Sequence, residues 1–300
     1  MTSYLRNTAS RLKLELVTRR RTPLAYWRRR YAEAVRSAGD IAVANGFPAS
    51  CLTEGGELYL QVRGIAVYYN VRDFDLTPGD GQGLDVPAGR ATTPLEQFVL
   101  DNVPSDGVYV DVGANNGFFY SLQVARRHTG ARVFAFEPDP QILPHLKRNV
   151  HQNGFDTQIE IIAQAVSDSP GQLRLTAGLG ASGYLLDDAA PDPGIEVPVT
   201  TLDAFVQQRG LDRIDLIKVD IEGHEHRMLE GSRNVLLELQ PTLVLELLDQ
   251  HLRRSGSSRA HVERMLEEVG YSVHLVAGSN DAVAFPRARM PEGLPVGLLG

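Results

Sequence analysis

Three short stretches of this 300-residue chain gather carboxylates and glycines at spacings that suit a ligand site. The first is V-D-V-G-A-N-N-G, residues 110–117, of the form D-x-G-x-N-x-G. Asp111 offers acceptors to a cationic amino group, directly or through water. Gly113 and Gly117 let the backbone approach a ligand, and the amides opening the next helix can donate to it. Asn115 stands between them. The second stretch is F-E-P, residues 136–138, where the Glu137 carboxylate can accept two hydrogen bonds from ribose hydroxyls. The third is I-D-L-I-K-V-D-I-E-G-H-E, residues 214–225. Asp220 or Glu222 can bind or deprotonate a hydroxyl, and His224 has the unperturbed pKa best matched to a general base near neutral pH. The bland alternatives are a strand-to-helix turn with no ligand, helix capping by the carboxylates, and a solvated histidine.

Other chemistries fit less well. A dinucleotide G-x-G-x-x-G needs glycine where the chain has Asn115 and Phe118, and the P-loop signature is absent. Ser121, Ser167 and Ser182 lack the G-x-S-x-G elbow of serine hydrolases. Asp220, Glu222 and Glu246 are oxygen donors that suit Mg²⁺, and His224 could join a softer ion, but no spacing fixes three convergent ligands. Mg²⁺ is therefore possible without being favoured, and no metal ligand is assigned. His128, His145, His151, His251, His261 and His274 lack metal-ligand pairing and read as structural.

The elements that must position these residues follow from periodicity. Strands are expected at Val108–Val112, Arg132–Phe136, Ile159–Ala163, Ile214–Val219, Thr242–Leu247, Ser272–Val276 and Ala282–Phe285. Helices are expected at Phe118–Arg127, Gln141–Asn153, Leu202–Arg209, His224–Glu230, Ser232–Leu239 and Arg259–Val269, after a shorter one at Pro94–Val103. This alternation predicts an α/β fold with a mainly parallel sheet and helices on both faces. Each of the three stretches then lies at the carboxyl end of a strand, where such sheets bind ligands. Between Leu173 and Val199 the alternation breaks. L-R-L-T and I-E-V-P-V look like strands flanking a Gly/Asp/Pro-rich connection, Gly178 to Gly194, which resembles an insertion. Upstream, residues 3–45 look helical with a break at Pro23, residues 57–71 read as strands with a bend at Gly64, and Thr77–Gly89 reads as a loop. The resulting division is a helical and β-strand extension over 1–90, the main domain over 91–286 and a tail over 287–300.

Composition narrows the class. Hydrophobic content of 43% and charged content of 22% are those of a globular protein. One cysteine, Cys51, excludes an intramolecular disulfide and a cysteine-rich zinc site. Residues 1–50 carry ten Arg/Lys against three acids, so the net charge of −7 hides an acidic remainder. That acidic bulk argues against nucleic acid as a partner. No apolar run reaches the ~18 residues of a bilayer span, and arginines between Arg6 and Arg36 interrupt any signal-peptide core. A cytoplasmic location is the expectation.

Taken together, V-D-V-G-A-N-N-G, F-E-P, A-V-S-D at 165–168, T-L-D-A-F at 201–205, I-D-L-I-K-V-D-I-E-G-H-E, M-L-E-G at 228–231 and P-T-L-V-L-E at 241–246 resemble the FkbM family of S-adenosylmethionine-dependent methyltransferases. The match spans roughly residues 94–247, about half the chain. The resemblance implies the class I methyltransferase (Rossmann-like) sheet, seven strands ordered 3-2-1-4-5-7-6 with the last antiparallel. It implies S-adenosyl-L-methionine as cofactor, with Asp111, Gly113, Asn115 and Gly117 on its methionine side, Glu137 on its ribose and Ala165 in the segment near adenine. Asp220, Glu222 and His224 would face the acceptor, a hydroxyl on a sugar, glycolipid or natural product. Two rivals are a non-enzymatic S-adenosylmethionine-binding or scaffold protein with this fold and an NAD-dependent oxidoreductase. No motif names the acceptor or the oligomeric state.

Overall fold

The computed structural model describes residues 92–176, 185–186, 194–290 and 298, together with three strands further upstream. Those strands are β1 (Ser50–Leu52), β2 (Leu58–Val62) and β3 (Ile65–Tyr69), joined antiparallel in the order β1-β2-β3. The chain divides into two compact units, Met1–Ala91 and Thr92–Gly300. The expected helices over 3–45 and the Thr77–Gly89 loop lie outside the described residues, as does most of the Gly178–Gly194 connection.

The second unit opens with α1 (Pro94–Asn102). Thr93 and Glu96 form a capping box there, and Pro94 occupies the first turn, where a missing amide costs nothing. Then follow β4 (Val108–Val112), α2 (Ser121–Arg127), β5 (Arg132–Phe136), α3 (Leu143–Gln152) and β6 (Ile159–Ile162). A second group of strands comes next: β7 (Ala165–Val166), β8 (Gly171–Leu175), β9 (Leu185–Leu186) and β10 (Ile195–Thr200). The remainder is α4 (Leu202–Arg209), β11 (Leu216–Val219), α5 (Glu225–Glu230), α6 (Arg233–Glu238), β12 (Thr242–Glu246), α7 (Asp249–Arg254), α8 (Arg259–Glu268), β13 (Tyr271–Leu275) and β14 (Asp281–Pro286).

The large sheet has the order β6-β5-β4-β11-β12-β14-β13. Its first five strands run parallel, and β14 is antiparallel to both neighbours. This is the class I methyltransferase order 3-2-1-4-5-7-6, so the expected fold is met. Both faces are covered, which is why the central strands read as continuous apolar runs. All five residues of β4 and all four of β11 are buried. Val110, Val112, Ile217 and Val219 join Phe205 of α4, Met228 of α5, Leu236 of α6 and Leu266 of α8 in one core. The rings of Phe134 and Phe136 meet that of Phe205 edge-on, with centroids 5.2 and 4.9 Å apart.

The two strands expected around the insertion, β8 and β10, join β7 and β9 in a separate four-stranded sheet, β7-β10-β8-β9. It has a small core of its own, Ala165, Leu175, Val197 and Val199. Helix boundaries shift where side chains capture amides. Asn116 Oδ1 accepts from the Phe118 amide, and α2 begins at Ser121 rather than Phe118. Asp139 Oδ1 likewise takes the Gln141 amide ahead of α3. Helix α7 was not expected from the sequence. Beyond β14 the chain makes one 3₁₀ turn, Arg287–Arg289, and the Leu298 carbonyl accepts the Ala277 amide. No helix among the described residues is long and apolar enough to cross a membrane.

Candidate functional site

The carboxyl ends of β4, β5 and β11 open into a cleft of about 610 Å³, counted out to the solvent. Gly113, Asn115, Glu137, Ala165, Asp220 and Glu222 all line it. The first three come from one piece of backbone architecture. The amides of Gly113 and Ala114 both donate to the Phe136 carbonyl, at 3.0 and 2.9 Å, so the turn after β4 is stitched to the end of β5. Gly113 has φ +87°, and a Cβ there would stand 1.9 Å from the Asp220 carbonyl oxygen. Its lack of a side chain therefore serves the contact between two strand ends as much as the approach of a ligand.

Glu137 organises the same turn. One carboxylate oxygen accepts the Asn115 amide at 2.9 Å and the other accepts the Asp139 amide at 2.8 Å. Asn115 adopts φ +51°, a left-handed conformation that asparagine tolerates better than most residues. Each Glu137 oxygen keeps one lone pair, so two hydroxyl donors can still be received. Burial pushes this carboxyl up to about 7, even though the two amides pull the other way. Ile142, Ala165, Val166, Leu175 and Leu185 add an apolar lining to the same cleft. Diol acceptors at one end and an apolar slot beside them suit a nucleoside.

Asp111 lies deeper. It is 3% exposed, it does not line the cleft, and its Oδ2 accepts the Ser121 hydroxyl at 2.5 Å. Burial raises its carboxyl to about 6, opposed by Ser121 and Lys218. Gly117 also stays out of the cleft and packs against Leu146 of α3. Of the cofactor residues expected from the sequence, Gly113, Asn115, Glu137 and Ala165 are thus brought together, while Asp111 and Gly117 stand behind them.

The β11 end is built differently. Asp220 lines the cleft half exposed, and its amide donates to the Val112 carbonyl at 2.9 Å. Lys218, buried beside it, reaches Asp220 Oδ2 at 3.4 Å and Asp281 Oδ1 at 3.8 Å. Burial would pull the lysine down, but Asp220, Tyr120, Asp281 and Glu246 together raise it and keep it charged. Glu222 sits at φ +57°, a costly conformation for a glutamate. Burial and the nearby Asp220 push its carboxyl up to about 7. Its Oε2 lies 2.8 Å from His251 Nδ1 and 3.8 Å from Arg254 Nη2.

The structure does not bring His224 to the cleft. Its Nε2 is hydrogen-bonded to Ser167 Oγ at 2.8 Å, at the start of α5 and against the second sheet. Burial, helped by His226 and Arg227, lowers it to about 4, so it stays neutral and weakly basic near pH 7. Lys218 stands in the sequence among the polar groups crowding the end of this strand, but its place opposite Asp111 across β4 and β11 comes only from the sheet register. One contributor escaped the sequence reading. His251 lies on the unexpected helix α7, about thirty residues from its partner Glu222.

A family model described as "Methyltransferase FkbM domain" matches residues 111–273. Among curated proteins, the chain is similar to Methyltransferase sdnD of Sordaria araneosa, 29% identical over 207 residues, covering 59% of this chain and 78% of that one. It is similar to 31-O-demethyl-FK506 methyltransferase FkbM of Streptomyces tacrolimicus, 33% identical over 159 residues, covering 43% of this chain and 60% of the relative. It is also similar to 2-O-methyltransferase NoeI of Sinorhizobium fredii, 27% identical over 205 residues, covering 63% and 79%.

Proposed function

The chain belongs to the FkbM methyltransferase family, and we propose that it transfers a methyl group from S-adenosyl-L-methionine to a hydroxyl oxygen of a sugar, glycolipid or natural product. The observation that carries this reading is the pairing of Glu137 with Asp220 on the two sides of one cleft. Glu137 offers two acceptor positions beside an apolar slot, as a nucleoside requires. Asp220 offers a half-exposed carboxylate where an acceptor hydroxyl can arrive. Two of the three relatives described above carry oxygen methylation in their names, which supports oxygen as the receiving atom.

Bound S-adenosyl-L-methionine would supply a methyl group already activated on a sulfonium, so the protein's task is mainly alignment. Glu137 would hold the ribose hydroxyls, and Ala165, Leu175 and Leu185 would cover the base. The turn Gly113–Asn115 would bound the methionine portion, with the negative charge of Asp111 and Asp220 nearby to favour a cation. Asp220 would accept the proton of the acceptor hydroxyl as that oxygen takes the methyl group, the bonding electron pair remaining with the departing S-adenosylhomocysteine. Lys218, held 3.4 Å from Asp220 Oδ2, fixes that carboxylate in place. Asp220 takes the role of base ahead of His224, whose ring is engaged by Ser167 outside the cleft.

The test is methyl transfer from labelled S-adenosyl-L-methionine to a panel of hydroxylated sugars, glycolipids and polyketides, with the labelled position read by NMR. Label on an ether oxygen is expected. Label on nitrogen or carbon would overturn the acceptor class. Thermal stabilisation by NAD⁺ and not by S-adenosylhomocysteine would favour an oxidoreductase. Stabilisation by S-adenosylhomocysteine without transfer to any acceptor would favour a binding protein.

A further inference from the structure

Beside the proposed acceptor end of the cleft, three metal-ligating side chains converge from separate elements. Glu222 follows β11, Glu246 ends β12, and His251 lies in the short helix α7. One carboxylate oxygen from each glutamate and one ring nitrogen of His251 all lie within 4.8 Å of one another. His251 Nδ1 is 2.8 Å from Glu222 Oε2 and 3.8 Å from Glu246 Oε2. An ion held at about 2.0–2.2 Å from such donors requires donor separations of this order.

The pair His251–Glu222 is close without being a hydrogen bond. Nδ1 is buried and has no hydrogen-bond partner, although the carboxylate oxygen is at contact distance. The nitrogen therefore directs neither its proton nor its lone pair at Glu222. A buried polar nitrogen left in that condition costs stability unless something else meets it. The surrounding backbone keeps the three groups in place. A Cβ on Gly223 would stand 2.3 Å from the His251 carbonyl oxygen, so the turn after Glu222 lies directly on α7. Ser255 Oγ donates to the Gly223 carbonyl at 2.5 Å, and Arg254 Nη2 donates to the Glu222 carbonyl at 3.2 Å.

We propose that Glu222, Glu246 and His251 bind one divalent transition-metal ion of the Mn²⁺ or Zn²⁺ type. One imidazole with two carboxylates favours these ions over Mg²⁺ and Ca²⁺, which prefer oxygen alone. Three protein ligands leave an open coordination position. Because Glu222 also lines the cleft, that position is available to the acceptor's oxygen, where the ion would orient the hydroxyl and make it more acidic. The ion site itself stands on the three side chains. Its role at the acceptor rests on the methyl-transfer reading above.

The experiment uses the full chain, stripped with EDTA and dialysed, and titrated with Mn²⁺ by calorimetry with the free ion followed by EPR. One ion per chain is expected, with Mg²⁺ a poor competitor. His251→Gln and Glu246→Gln should each weaken Mn²⁺ at least about tenfold, while Asp156→Asn, remote and exposed, should not. In the unmutated chain, pulsed EPR should show nitrogen coupling from one imidazole to the bound Mn²⁺, a readout independent of how the variants fold. No binding at millimolar Mn²⁺, binding indifferent to both variants, or the absence of nitrogen coupling overturns the proposal. S-adenosylhomocysteine binding is measured in parallel. Its absence with Mn²⁺ binding intact would refute the cofactor reading and leave the ion site standing.

Discussion

The two sides of the cleft hold carboxylates in opposite ways. On the β4–β5 side, each oxygen of Glu137 receives a backbone amide, and the turn it holds is itself stitched to the Phe136 carbonyl. On the β11–β12 side, Asp220, Glu222 and Glu246 crowd together with Lys218, Arg254 and His251 as their charged or titratable neighbours. The first side is a platform completed by main-chain donors, whose geometry does not depend on what binds. The second is an arrangement of side-chain charges whose balance changes when a proton, a cation or a hydroxyl enters. In the proposed reaction, rigidity suits the part that would hold the cofactor in one pose, and responsiveness suits the part that would move a proton.

The comparison breaks most severely if the two sides are forced apart. Gly113→Ala places a methyl group against the Asp220 carbonyl in a backbone region hostile to alanine. It should lower stability by ~3–4 kcal/mol in urea titrations, with cofactor binding lost as well. A mild effect would mean that the turn after β4 can relax without the β11 end. Asp220→Asn should next lower kcat about a hundredfold while leaving S-adenosylhomocysteine affinity near that of the unmutated chain. A parallel fall in affinity would erase the division of labour. His224→Gln, outside the cleft, should turn over near the wild-type rate, and a loss matching that of Asp220→Asn would return the histidine to the site.

The smallest effect is on pH dependence, and it separates Glu246, at the end of β12, from His224, outside the cleft, by sign. Burial, then Asp220, holds Glu246 at about 8, above its ordinary 4.5. The folded chain keeps a proton there that the unfolded chain releases. This contribution to stability is therefore full below about 4.5 and is lost as the pH rises through about 8. Glu246→Gln should raise Tm at pH 8 in chelator-treated buffer and leave it little changed near pH 4.5. His224 runs the other way. Burial lowers it to about 4 from 6.5, so its contribution is present above 6.5 and is lost as the pH falls through 4. His224→Gln should flatten the acid limb of the same Tm profile.

The platform was legible in the sequence because its parts are contiguous. D-x-G-x-N-x-G and F-E-P each supply a strand end and its turn, and β4 and β5 fall on the residues expected for them. The parallel alternation also determined the sheet, since buried central strands announce themselves as apolar runs. What the motifs did not reveal is which of their members reach the ligand. Asp111 and Asn115 are four residues apart, yet only the second lines the cleft, because the pleat turns Asp111 toward Ser121. His224 looked suited to proton transfer by type alone, and its partner Ser167 comes from 57 residues away. His251 reads as structural because no ligand stands at metal-binding spacing from it along the chain, and the helix that carries it, α7, is six residues long without a strong apolar period. Its meeting with Glu222 and Glu246 is set by strand order, which no local pattern records.

The central claim is that the β4–β5 platform binds the cofactor through Glu137, independently of the charged side opposite. Calorimetric titration of S-adenosylhomocysteine into the unmutated chain, Glu137→Ala and Asp220→Asn tests it most directly. The account predicts one site per chain, a loss of about a hundredfold, or ~2.7 kcal/mol, in Glu137→Ala, and little change in Asp220→Asn. No binding to the unmutated chain, or equal affinity in Glu137→Ala, would contradict it.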